Sequence, residues 1–93
     1  MSNRREWPIT QGSVVVSKAG RDEGRIFAVL SLESNKDGEF AYVADGQTHT
    51  LEKPKRKRLK HLKGLGGNVG QPVEDAMLRR ALEPYKTGGA ELV

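Results

Sequence analysis

Between residues 12 and 63 turn signals recur at such close intervals that no helix of ordinary length fits, so the core must be built from short strands. Residues 13–17 carry the β-branched run Val14, Val15, Val16, and residues 25–32 alternate Ile26, Ala28, Leu30 and Leu32 against Arg25, Phe27, Val29 and Ser31. Between them lies a polar turn, Ala19-Gly20-Arg21-Asp22-Glu23-Gly24. Asp37-Gly38 predicts a second reversal, because Asp-Gly readily takes the left-handed conformations of tight hairpins. A third strand is predicted over residues 39–44, with Phe40, Tyr42 and Val43. Asp45-Gly46 then predicts a hairpin into a fourth strand over residues 47–51, where Thr48 and Thr50 favour a pleated backbone. Leu59 and Leu62 are expected to dock a short last strand. Five short strands within about fifty residues predict an all-β fold, a small barrel whose closure removes aggregation-prone edges.

The rest of the chain divides by composition. Residues 1–11 read as a loose arm, with Trp7-Pro8 holding the backbone extended. The barrel is expected to occupy residues 12–63. Residues 64–71, with Gly64, Gly66, Gly67 and Gly70, read as a Gly-rich linker. One C-terminal helix is predicted over residues 72–84: Pro72 opens it, Glu74 and Asp75 sit in its first turn, Arg79 and Arg80 lie near its end, and Pro84 stops it. Val73, Ala76, Met77, Leu78, Ala81 and Leu82 give that helix a broad apolar face. At this length it must pack on the barrel or on a partner, and the sequence leaves both open. Residues 85–93 read as a frayed tail.

Charge narrows the function classes. With 93 residues and a hydrophobic share of 35%, the chain supports one modest core. Sixteen Lys and Arg against 12 Asp and Glu give a net charge of +4, which favours a polyanionic partner. The absence of cysteine excludes a disulfide framework and a thiolate zinc site, and suits a reducing cytoplasm. Arg4 and Arg5 are followed by no apolar stretch, and no run approaches the length of a membrane span, so a cytoplasmic location without membrane attachment is expected.

The positive charge is concentrated. Seven Lys or Arg fall within the 11 residues from Lys53 to Lys63: Lys53, Lys55, Arg56, Lys57, Arg58, Lys60 and Lys63; His61 adds a donor. Ammonium groups and guanidinium forks at this spacing can meet successive phosphates and release counterions, the main source of affinity for nucleic acid. A solvated charged loop has the same composition, and strand alternation would put only part of the block on one face. The Gly20 to Gly24 turn offers a second site, with Arg21 and Arg25 beside backbone amides that phosphate oxygens could use. On physics alone an ordinary hairpin loop explains that turn equally well.

These residues also carry a resemblance. Residues 12–63 resemble a KOW domain, the small barrel found in several ribosomal proteins and transcription elongation factors. The large-subunit ribosomal protein fourteen family of archaea and eukaryotes has a valine-rich strand followed by a Gly-Arg-x-x-Gly-Arg turn, matched here at Gly20, Arg21, Gly24 and Arg25. That family's later basic stretch ending in a His-Leu pair is matched by Lys55, Arg56, Lys57 and Arg58 with His61 and Leu62. Many KOW motifs carry a further glycine shortly after the second; here Ile26, Phe27 and Ala28 follow directly. In size the chain is more similar to the stand-alone KOW-domain RNA-binding proteins of bacteria.

The resemblance implies an SH3-like five-stranded barrel of the KOW type whose turns and basic loop contact RNA. Joined to the charge clustering, it places RNA binding on Lys18, Arg21, Arg25, Lys55, Arg56, Lys57, Arg58, Lys60, His61 and Lys63, with Gly12, Gly20 and Gly24 as structural glycines. Ribosomal RNA is the expected partner and ribosome association in translation the expected setting, with the large subunit as a candidate host. Backbone contacts should dominate, and neutralising about six phosphates would give a slope near −4 to −5 for log affinity against log salt. The reading requires Arg21, Arg25 and residues 55–58 to converge on one side.

Other readings compete. A protein-interaction module that recruits a transcription or translation factor, with the helix docking a partner, uses the same parts; binding of duplex DNA is a third. Catalysis finds no support: His49 and His61 are the two histidines, they lack HExxH spacing, and the Gly64 to Gly70 stretch lacks the Gly-Lys-Ser/Thr ending of a phosphate loop. The chain is therefore read as non-enzymatic, with no metal, cofactor or small-molecule substrate. Five aromatics (Trp7, Phe27, Phe40, Tyr42 and Tyr85) are too few for both a core and a base-stacking platform. Phe40 is assigned to the interior, while Phe27 and Tyr42 stay open.

Overall fold

The computed structural model describes residues 8–91. Five strands, β1 (Ser13–Ser17), β2 (Ile26–Asn35), β3 (Gly38–Ala44), β4 (Lys55–Arg58) and β5 (Leu62–Asn68), precede one helix, α1 (Asp75–Glu91), and a single 3-10 turn (Leu59–His61) joins β4 to β5. All pairings are antiparallel, in the order β4-β3-β2-β1-β5. β1 lies between β2 and β5, so the last strand returns to the first. β4 and β5 are the two edges and no ladder joins them, so the sheet is open rather than closed into a barrel. The reason lies in β4. It is four residues long, entirely Lys and Arg, and runs directly into the 3-10 turn, so it ends the sheet as a short charged edge of the kind that resists further pairing.

The valines of β1 hold the sheet from both faces. Val15 packs with Phe27, Val29, Ala41, Val43 and Leu62 on one side, with Ile9 and Leu59 against them. Val14 packs with Ala28 and Ala44 on the other, under Leu78 and Leu82 of α1. Because both faces are covered, β1 is a continuous apolar run rather than an alternating one. A register shift between Val29 and Ser31 keeps β2 aligned with β3 beyond the covered zone. Phe27 is fully buried, and Phe40 is buried outside both clusters.

The helix packs on the sheet. Leu78, Leu82 and Tyr85 recur at i, i+4 and i+7 and form the face that reaches it. Val73 and Met77, expected on that face, are exposed. The helix begins at Asp75, not Pro72, and Asp75 Oδ1 accepts the Leu51 N–H at 2.8 Å, which ties its first turn to the chain after β3. Pro84 does not stop it but lies inside it. A proline there removes one helical hydrogen bond and crowds the preceding turn, yet Leu82 before it and Tyr85 after it enter the same cluster and carry the helix across. The expected tail thus continues α1 as far as Glu91, and residues 92–93 lie outside the described part.

Three further expectations are corrected. The linker over 64–71 is mostly β5: β1 offers it a ladder, and the missing side chain of Gly67 makes room for Tyr85, whose ring a Cβ there would overlap. Residues 47–51 form no strand. Asp45 accepts the N–H groups of Gln47 at 2.9 Å and His49 at 3.0 Å, a side-chain alternative to a strand ladder that folds residues 45–49 into a compact loop. Of the expected arm, residues 1–7, including Trp7, lie outside the described part, but residues 9–12 are held: Ile9 packs on the core and Gly12 donates to Val29 O at 2.8 Å. Among the described residues no helix is long and apolar enough to cross a membrane.

Candidate nucleic-acid interface

The β1–β2 connection is a self-contained turn. Glu23 N–H donates to Gly20 O at 3.1 Å, Gly24 N–H to Ser17 O at 2.8 Å and Arg25 N–H to Asp22 O at 2.8 Å. These three amides are engaged, so the backbone donors on the Arg25 side of the turn are not free to meet a phosphate. Gly20 and Gly24 hold φ of 82° and 88°, and Gly12, at the other end of β1, holds 89°. On its Arg25 side the turn therefore presents side chains.

Asp22 organises that turn. Its carboxylate lies 3.7 Å from Lys55 Nζ, 3.6 Å from Lys57 Nζ and 3.9 Å from His49 Nε2. Lys57 also reaches Ala19 O at 3.4 Å and is buried. Register explains the reach: Lys55 and Lys57 pair with Val43 and Ala41, residues of the inner face, and their stems cross that face to the turn. Asp22 thus engages both lysines of the strand block, offsetting one of their two charges, and side chains bind β4 to the turn where no backbone ladder does.

The other half points away. Arg56 and Arg58 pair with Tyr42 and Phe40 on the opposite face, and their guanidinium groups lie 3.8 Å and 4.8 Å from the Phe40 ring centre. Phe40 is buried beneath these two arginines rather than in either apolar cluster. Arg56 Nε approaches Glu33 at 3.5 Å, Tyr42 Oη donates to the same carboxylate at 2.8 Å, and Arg58 donates to Asp37 O at 2.9 Å. The Tyr42 hydroxyl, aided by Asn35 and Arg56, holds Glu33 below the usual carboxylate range against partial desolvation, and the same bond raises Tyr42.

Arg25 is held as well. It donates to Thr48 Oγ1 at 2.9 Å and to Asp45 Oδ2 at 3.4 Å, pinning the loop after β3. Burial pushes the Asp45 carboxyl up, but the Gln47 and His49 amides and Arg25 outweigh it and leave the group below its ordinary range. Arg25 and residues 55–58 therefore do not form one basic face.

A different set does come together. Lys18 N–H donates to His61 O at 2.8 Å, and Ser17 and Val16 pair with Leu62 and Lys63, so the end of β1 abuts the 3-10 turn and the start of β5. Lys18, Lys60 and Lys63 are exposed at this corner, His61 is half-buried beside them, and Arg21, also exposed, stands in the adjoining turn. Among the described residues no carboxylate lies within ion-pair distance of Lys18, Arg21, Lys60 or Lys63. Such a corner can hold an anionic chain by charge and donate hydrogen bonds to its oxygens.

Asp22, unassigned in the sequence, shapes this surface, and Tyr85, one of the five aromatics weighed for stacking, packs against Gly67 of β5. An acidic residue enclosed by two glycines and two arginines was the available signal for Asp22; nothing local signalled that Tyr85, beyond a proline, would pack on Gly67. Among the described residues no cluster of His, Asp and Glu is placed to hold a metal ion. Compared with protein-family models and with curated protein sequences, the chain matches none.

Proposed function

We propose that this protein binds structured RNA through the phosphate backbone at the corner formed by Lys18, Arg21, Lys60, His61 and Lys63, ribosomal RNA being the expected class. One observation supports the reading: the Lys18 N–H to His61 O bond joins the end of β1 to the β4–β5 corner, so the backbone of Lys18 lies beside the segment that carries Lys60, His61 and Lys63. The open five-stranded sheet, whose fifth strand returns to the first, is the framework we take for an SH3-like barrel of the KOW type. The Gly20-Arg21 and Gly24-Arg25 steps, both with positive-φ glycine, support that assignment. Arg56, which meets Glu33, and Arg58, which donates to Asp37 O, lie on the far face over the Phe40 ring and are assigned to its support.

Filter binding to a structured ribosomal RNA fragment tests the assignment. Replacing Lys18, Arg21, Lys60 and Lys63 together with Ser should weaken binding at least ten-fold at low salt, about 1.4 kcal/mol or more. The R56S/R58S pair should lose far less. Unchanged affinity in the fourfold variant removes the proposed surface.

A further inference from the structure

The β1–β2 turn and the C-terminal part of α1 face each other across an open cleft of about 660 Å3, within the range of small-molecule sites. Its apolar wall is Tyr85 and Ile26, both half-buried members of the helix-side cluster. Tyr85 is held in place because its hydroxyl end rests over Gly67, where any side chain would collide with it. Arg21 and Lys86 supply positive charge, one from each side of the cleft. Gly24 lies between, and a Cβ built there would meet no atom within 4 Å, so the wall is bare at that point.

The polar groups of this cleft suit a nucleotide better than a bare anion. Glu23 would repel a lone phosphate, but it can accept from a ribose hydroxyl or an exocyclic amino group, and the exposed Gln47 amide can both donate and accept. An aromatic ring, two cations and two hydrogen-bonding side chains match the three parts of a nucleotide: base, sugar and phosphate. A base inside a duplex is stacked and cannot enter, so the occupant must be unpaired. We propose that this cleft holds one unpaired nucleotide of the bound RNA, its base against Tyr85 and Ile26 and its phosphate between Arg21 and Lys86. The inference rests on the RNA-binding reading and adds to it a preference for RNA with a loop or bulge.

The test compares two probes with equal numbers of phosphates, an RNA hairpin closed by an all-uridine loop and a blunt RNA duplex. The full chain should favour the hairpin by on the order of ten-fold, the usual scale of one base–aromatic stack. Y85L, which keeps an apolar side chain in the cluster, should abolish the preference while leaving duplex affinity unchanged; Y85F should retain it. Lys86 lies outside the basic corner and the core, so K86S lowers hairpin affinity without risk to the fold and decides the matter if Y85L does not fold. Equal binding of both probes by the unmodified chain, a preference that survives Y85L undiminished, or hairpin affinity unchanged by K86S overturns the nucleotide site and leaves RNA binding standing. Failure to bind either probe overturns both.

Discussion

Asp45 shows how one side chain can fix a local fold and make it depend on pH. It is buried, accepts two backbone N–H groups and faces the Arg25 guanidinium, so the ionised form is the one that fits. Its carboxyl is below the ordinary range in the folded chain, whereas the unfolded value is about 3.9. The stabilisation it contributes is therefore complete above that unfolded value and is lost as pH falls through the lower folded one. Asp45→Asn keeps the shape but removes the charge, and should lower stability by about 1–3 kcal/mol at neutral pH. Urea unfolding at a series of pH values checks this: the variant's curve should be the flatter one between about pH 5 and pH 2. Identical pH dependence in the two proteins would remove Asp45 from the account. The same residue explains a sequence misreading. Asp45-Gly46 signals a hairpin, and the chain does turn there, but a carboxylate able to accept Gln47 and His49 supplies locally what a strand partner would have supplied.

Among the elements, α1 and β5 depend on each other. Leu78 and Leu82 cover the helix-side face of the sheet, and Tyr85 fills the space that Gly67 leaves open in β5. Leu82→Ala should cost about 2–5 kcal/mol, since it opens a cavity between helix and sheet. Pro84→Ala should do the reverse. It restores a helical hydrogen bond at a site where packing already holds the chain helical, and should gain about 1–3 kcal/mol. Thermal unfolding followed by circular dichroism reads both signs, and a drop in midpoint for Pro84→Ala would show that the proline fits its place.

The strands β1, β2 and β3 were legible in the sequence because their own residues carry the pattern: valine runs, alternation and an Asp-Gly turn. β4 and β5 were not. Lys55–Arg58 contains no apolar residue and becomes a strand only because β3 is beside it, and Leu62–Asn68 looks like a linker until β1 and Tyr85 arrive from distant sequence. For the candidate site, cationic density was legible and its division was not. Strand alternation splits residues 55–58 between two faces, while Asp22, Glu33 and Asp45 decide which cations are already paired.

At the scale of the whole molecule, that division sets how strongly binding should respond to salt. The expectation from sequence is about six phosphate contacts shared among the cations of the turn and the basic block, but the fold uses Lys55 and Lys57 to hold Asp22, Arg56 to meet Glu33 and Arg25 to hold Asp45. Four cations without carboxylate partners among the described residues gather at the β1 and β5 corner. Neutralising about four phosphates gives a slope near −3 to −3.5 for log affinity against log salt, shallower than −4 to −5. Titrating RNA binding from low to moderate salt measures that slope directly. Exchanging Lys60 and Lys63 for Ser should bring it nearer zero by one to two units, roughly one per lost phosphate contact, whereas Lys55→Ser should leave it unchanged within about half a unit. A slope of −5 or steeper that responds equally to Lys55→Ser would mean that the Asp22 pairs open on binding, and that the whole basic block, not one corner of it, meets the RNA.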